Sequence, residues 1–223
     1  MVEWLACSRP AAPMPSPSSP SEVDALYESV KSALDTVAAN GKRVGDCKFG
    51  VYLFYDYDGE PIYVGQTQER LRTRIRRHLT NQRTDAVAMR VLDPFEVAEI
   101  EMWPFWSLTK QDAAETLDRA EFTVYCRALE RSEFNAVLNE GDIRKADRIA
   151  LPPSVRAPLL TGARRAEREH PDIRLARRAR TIADLARIIS ERRVKTGLRR
   201  TLWAQAQRLE SLARKRLAEI ERS

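Results

Sequence analysis

The chain has 223 residues, 43% of them hydrophobic, which is enough to bury a core and too apolar for wholesale disorder. Three cysteines (Cys7, Cys47, Cys126) without CxxC spacing and two histidines (His78, His170) exclude a disulfide framework and a four-ligand Cys/His zinc site. The net charge of +6 is unevenly spread: residues 164–223 carry 18 Lys+Arg and 8 Asp+Glu, a net +10, while the first 163 hold 20 and 24, a net −4. That tail is an electrostatic footprint suited to phosphate backbones, or else a solvated helix surface.

In chain order, residues 1–20 run through Pro10, Pro13, Pro15, Pro17 and Pro20 among serines, a composition that reads as a disordered leader. They contain neither a basic segment before a long apolar stretch nor a membrane span, so a reducing, cytoplasmic setting is the default. Ser21 and Asp24 form a variant capping box, and Val23, Leu26, Val30, Leu34 and Val37 recur at helical spacing until Gly41, predicting a helix over 21–41. The period then changes to that of strands. Residues 49–55 and 61–65 flank an Asp-Gly turn and predict a β-hairpin. Thr67 to about Asn81 predicts a basic helix with Leu71, Ile75 and Leu79 inward, and 95–103 a third strand. Thr109–Glu130 is amphipathic, and two further helices are expected at 181–194 and 198–221 with Gly197 as the break.

These elements imply an α/β fold, α+β in arrangement. A small module with a three-stranded antiparallel sheet flanked by helices occupies 46–142, a linker 143–163, and an all-helical basic extension 164–223.

In the 109–130 helix, Ala114, Leu117, Val124, Tyr125 and Ala128 define an apolar stripe, and Glu121 falls inside it. An ionised carboxylate there is costly unless paired or metal-bound, so Glu121 is either a metal ligand or the partner of an arginine such as Arg74. Arg74 and His78, four residues apart, share one helix face and can reach a single phosphate. Asp56, Asp58 and Glu60 sit on a turn, where acids are common, and receive no catalytic role.

Gly50-Val51-Tyr52 and Tyr63-Val64-Gly65 on paired strands, followed by Gln66-Thr67, then Arg74 and His78, then Glu121 and an Asn, resemble the GIY-YIG nuclease family. Val replaces Ile in both triplets. The resemblance implies a DNA endonuclease with Tyr52, Tyr63, Arg74, His78, Glu121 and Asn135 as site residues. Asn139 is the competitor of Asn135. It further implies one Mg²⁺ or Mn²⁺ ion held by Glu121, and a Tyr52 that activates or orients water, its pKa lowered by Arg74 and a charged His78. DNA is the implied partner. The rival is a non-catalytic nucleic-acid binder that keeps the fold. A third possibility is a structural partner protein with a basic tail. In the tail, Leu198, Leu202, Leu209, Leu212 and Ile220 build a helical hairpin or a homodimer seam, with Arg177, Arg178, Arg192, Arg193, Arg199 and Arg200 expected to face phosphate.

Overall fold

The computed structural model describes residues 20–80, 91–139, 143–194 and 196–222. Helix α1 spans Pro20–Leu34, and strands β1 (Gly50–Tyr55) and β2 (Pro61–Thr67) form the hairpin. Helix α2 (Leu71–Thr80), strand β3 (Glu99–Pro104) and helix α3 (Ala113–Arg131) follow. Strand β4 (Val155–Pro158) and helices α4 (Gly162–Glu169), α5 (Pro171–Glu191) and α6 (Thr196–Ile220) complete the chain. The sheet is antiparallel throughout, in the order β2-β1-β3-β4.

Central β1 is buried at every position, which is why its sequence is a continuous apolar and aromatic run rather than an alternating one. Val51, Leu53 and Tyr55 point to the face covered by α3, where Leu117, Ala120, Val124 and Ala128 pack. Tyr52 and Phe54 point to the opposite face, covered by α1, α2 and the inner residues of α5 and α6. The fold is therefore three-layered, with the first Tyr of the hairpin on the α2 side and Glu121 on the helix of the other side.

Several expectations need correction. Helix α1 stops at Leu34, not Gly41. Asp35 turns aside to bind Arg72 at 2.6 Å, and the backbone of Thr36 and Val37 pairs with Val44 and Arg43 instead of continuing the helix. Val37 is consequently exposed. Thr67 ends β2 rather than opening α2, which starts at Leu71, and its Oγ1 accepts the Glu69 amide. The sheet has a fourth strand, drawn from the stretch expected to be a linker and paired to β3 from Glu99↔Pro158 to Met102↔Val155. The leader, apart from Pro20, and residues 81–90 lie outside the described residues.

The basic helices do not hang free. Helices α5 and α6 form an antiparallel hairpin tied to the acidic turn between β1 and β2, where Gly59 takes φ +78°. Arg174 forks onto Asp58 at 3.0 and 2.6 Å. Arg178 reaches Asp56 at 2.9 Å and Glu96 at 3.2 Å. Arg208 reaches Glu60 at 3.4 Å and the Pro61 carbonyl at 3.0 Å. All three arginines are buried. Arg178, expected to face phosphate, is thus an internal ion-pair partner, and Arg177 lies half-buried along the Phe95 ring. The reason is local counter-charge: the acidic turn is close enough to compete with any external anion. Arg192, Arg193, Arg199 and Arg200 remain exposed. Among the described residues no helix is long and apolar enough to cross a membrane.

Candidate active site

The sheet's α2 face brings four expected residues into one patch. The Tyr52 and Tyr63 rings stack at 6.4 Å between centroids, 23° from parallel, and the His78 ring lies 6.0 Å from Tyr52 and 5.3 Å from Tyr63. Tyr52 pairs with Gly65 across the strands, and its ring tip crosses that glycine. A Cβ at 65 would sit 2.4 Å from the Tyr52 oxygen. The glycine of the second triplet is therefore a condition for the placement of the tyrosine of the first.

Tyr52 is fully buried, and its hydroxyl and the Arg74 Nε are each buried without a hydrogen-bond partner of good geometry. Burial pushes the Tyr52 phenol up to about 12, and the adjacent Arg74 charge offsets this only in part. His78 moves down to about 4, first through burial and then through the charges of Arg74 and Arg77. Both values overturn the expectation of a phenolate favoured by surrounding cations. The imidazole is neutral at pH 7, and desolvation outweighs the one guanidinium beside the phenol.

Glu121 lies at the border of α3's buried face rather than in the middle of a stripe, because Ala114 is exposed and the inward row is Ala113, Leu117, Ala120, Val124 and Ala128. Burial and then the neighbouring Asp118 raise its carboxyl to about 7, against a hydrogen bond from Gln66. The Gln66 Nε2 donates to Asp118 at 2.7 Å and to Glu121 at 3.2 Å, so one amide from β2 bridges two carboxylates. The Gln66 Oε1 is buried and has no partner. Two adjacent carboxylates, an orphaned amide oxygen and an orphaned phenol suit a hard cation, which takes oxygen ligands. Among the described residues no three His, Cys, Asp or Glu side chains gather where they could hold a metal ion, so an ion here would complete its shell with water and substrate oxygens.

The asparagines separate cleanly. Asn135 sits exposed in the loop after α3 with φ +47°, a conformation asparagine tolerates, and its side chain stands apart from the patch. Asn139 instead grips β2 beside Tyr63: its Oδ1 accepts the Val64 amide at 3.2 Å and its Nδ2 donates to the Val64 carbonyl at 2.8 Å. Gln66 and Asp118 were given no role from sequence. The available signals were the two-residue strand period, which puts Gln66 on the α3 side with Val64, and the three-residue helical step from Asp118 to Glu121.

No curated protein and no solved structure gives a significant match to the chain. A family model described as the GIY-YIG catalytic domain matches residues 48–117. The match contains both tyrosines, Arg74 and His78 and stops four residues before Glu121, whose place rests on the geometry above. The match covers 70 of the chain's 223 residues, so this segment is similar to the GIY-YIG catalytic domain.

Proposed function

We propose that the chain is a metal-dependent endonuclease that hydrolyses DNA phosphodiester bonds. The observation that carries this reading is the convergence of Tyr52, Tyr63, Arg74 and His78 on one patch, with the desolvated carboxyl group of Glu121 bridged to the edge of β2 by Gln66. Glu121, with Asp118 beside it, would hold one Mg²⁺ or Mn²⁺, which supplies Lewis acidity to the phosphoryl oxygens.

The chain's own groups cover the remaining steps. Arg74 neutralises charge that builds on the phosphoryl oxygens as water attacks phosphorus and the P–O bond to the leaving oxygen breaks, the departing alkoxide taking a proton from solvent. His78, neutral at physiological pH, accepts the proton of the attacking water. A phosphate anion in the patch offsets the Arg74 charge that depresses His78, which makes the imidazole a better base once substrate is bound. Tyr52, with a pKa of about 12, stays protonated and orients the water through its unpartnered hydroxyl. Tyr63 positions a phosphoryl oxygen. The exposed Arg192, Arg193, Arg199 and Arg200 of the C-terminal helices supply contacts to the backbone.

The test uses supercoiled plasmid with Mg²⁺ or with EDTA. Cleavage is expected only with the metal, and Glu121→Gln should abolish it while DNA affinity holds. Wild-type cleavage by Glu121→Gln removes Glu121 from the site. Binding without cleavage under every metal condition favours the non-catalytic nucleic-acid binder.

A further inference from the structure

Helix α6 docks on the module through Thr201, which donates to the Asn139 carbonyl, and Arg208, with Leu212 buried on the same side of the helix. Its opposite face is unexpectedly apolar. Of the four large hydrophobic residues exposed among the described residues, three lie on this helix: Trp203 (66%), Leu217 (57%) and Ile220 (56%). With exposed Ala206 and Ala213 they follow alternating three- and four-residue steps, 203, 206, 210, 213, 217, 220. That spacing is the heptad a/d pattern of a helix seam, and at 3.6 residues per turn it falls roughly opposite the docked face. The single polar member is Glu210.

We propose that this face pairs antiparallel with the same face of a second copy, making a two-fold symmetric dimer. The charge pattern selects both occupant and orientation. In a parallel pair, Glu210 would meet the partner's Glu210 inside the seam, which is repulsive. In the antiparallel register, Trp203 lies opposite the partner's Ile220, Ala206 opposite its Leu217, and Glu210 opposite its Ala213, next to its Arg214. Each inner layer then sets a large side chain against an alanine, which lets the helices approach closely. Arg214 already lies 3.5 Å from Glu210 in its own chain, so the axis gathers two glutamates and two arginines of alternating sign. An isologous contact of this kind closes on itself and leaves no unsatisfied patch. The seam does not depend on nuclease activity. Only the corollary, that two modules related by a two-fold axis would address the two strands of a duplex, rests on the proposed function.

The experiment is sedimentation equilibrium of the full-length protein without DNA or metal. The expected result is a concentration-dependent species of twice the 25.5 kDa chain mass. Trp203→Glu and Leu217→Glu should shift it to monomer with unchanged helical circular dichroism, since both side chains are exposed. Glu210→Arg alone should weaken association at least tenfold, and Glu210→Arg combined with Arg214→Glu should restore it. A monomeric mass up to the solubility limit overturns the proposal, as does a dimer indifferent to Trp203→Glu and Leu217→Glu. Failure of the double charge reversal to rescue overturns the antiparallel register.

Discussion

Replacing Arg178 with methionine should loosen the C-terminal hairpin from the module, with a distinctive dependence on pH. Arg178 is 5% exposed and serves Asp56, Glu96 and the Arg208 carbonyl at 2.9, 3.2 and 3.0 Å. Without it, the Glu96 Oε2 retains only Arg174 at 3.5 Å, and the Oε1 already has no partner. Removing one member of a buried ion-pair set costs about 3–5 kcal/mol, because the charge left behind stays desolvated. That is a large part of the ~5–15 kcal/mol that holds a typical domain together. Burial already raises the Glu96 carboxyl from 4.5 to about 7, against the pull of Arg178 and Arg174. A carboxyl whose folded pKa is raised favours the folded state while protonated, and loses that benefit as pH climbs from 4.5 through 7. Losing Arg178 raises it further, so the variant's deficit should be smaller at pH 5, where Glu96 carries a proton in both proteins, and larger at pH 8, where the wild-type carboxyl has ionised. Urea unfolding of wild type and Arg178→Met at the two pH values reads this as a difference in midpoint. A deficit below about 1 kcal/mol, or one equal at both values, would refute the idea that an unpaired Glu96 sets the cost.

Gly65→Ala places a methyl group against the Tyr52 ring tip; cleavage should fall sharply while the unfolding midpoint moves modestly, and an active Gly65→Ala enzyme would show that Tyr52 can relocate. The His78 imidazole should titrate near 4 by nuclear magnetic resonance and stay neutral from pH 6 to 8, with its stabilising contribution present above 6.5 and lost as pH falls through 4; a midpoint near 6.5 would mean the patch is wetter than described. Asn139→Ala should cost about 1–3 kcal/mol by freeing two ladder groups of β2, whereas Asn135→Gly, relieving a left-handed residue, should be neutral or slightly stabilising; equal losses in thermal unfolding would contradict the distinction.

The parts of this molecule that were legible in its sequence are those whose determinants are local. The hairpin announces itself through strand residues around Asp58-Gly59, and the Tyr52–Tyr63 and Arg74–His78 spacings follow from the two- and four-residue periods of their elements. What stayed hidden depends on partners far along the chain. Helix α1 ends early because Arg72, 37 residues on, claims Asp35. Strand β4 is four residues long, with Val155 and Ala157 inward and a closing proline, too little pattern to betray a strand. The arginines of α5 look alike in sequence, and only the acidic turn, 116–122 residues away, separates Arg174 and Arg178 from those left facing water. The choice between Asn135 and Asn139 turns on a loop conformation that sequence periodicity does not describe.

The grip of Asn139 on β2 bears on how the protein behaves in crowded solution. An outer strand normally presents a row of amides and carbonyls to which a foreign chain can add. Here the carboxamide of Asn139 imitates a peptide group, occupying both the N–H and the C=O of Val64, while the Leu138 amide takes the carbonyl of Ile62 at 2.8 Å. The margin of the sheet nearest the tyrosines is thereby closed to strand addition without the expense of another strand. Loss of that one side chain would reopen a sticky ladder next to the tyrosine patch, and turbidity on prolonged incubation would be its signature.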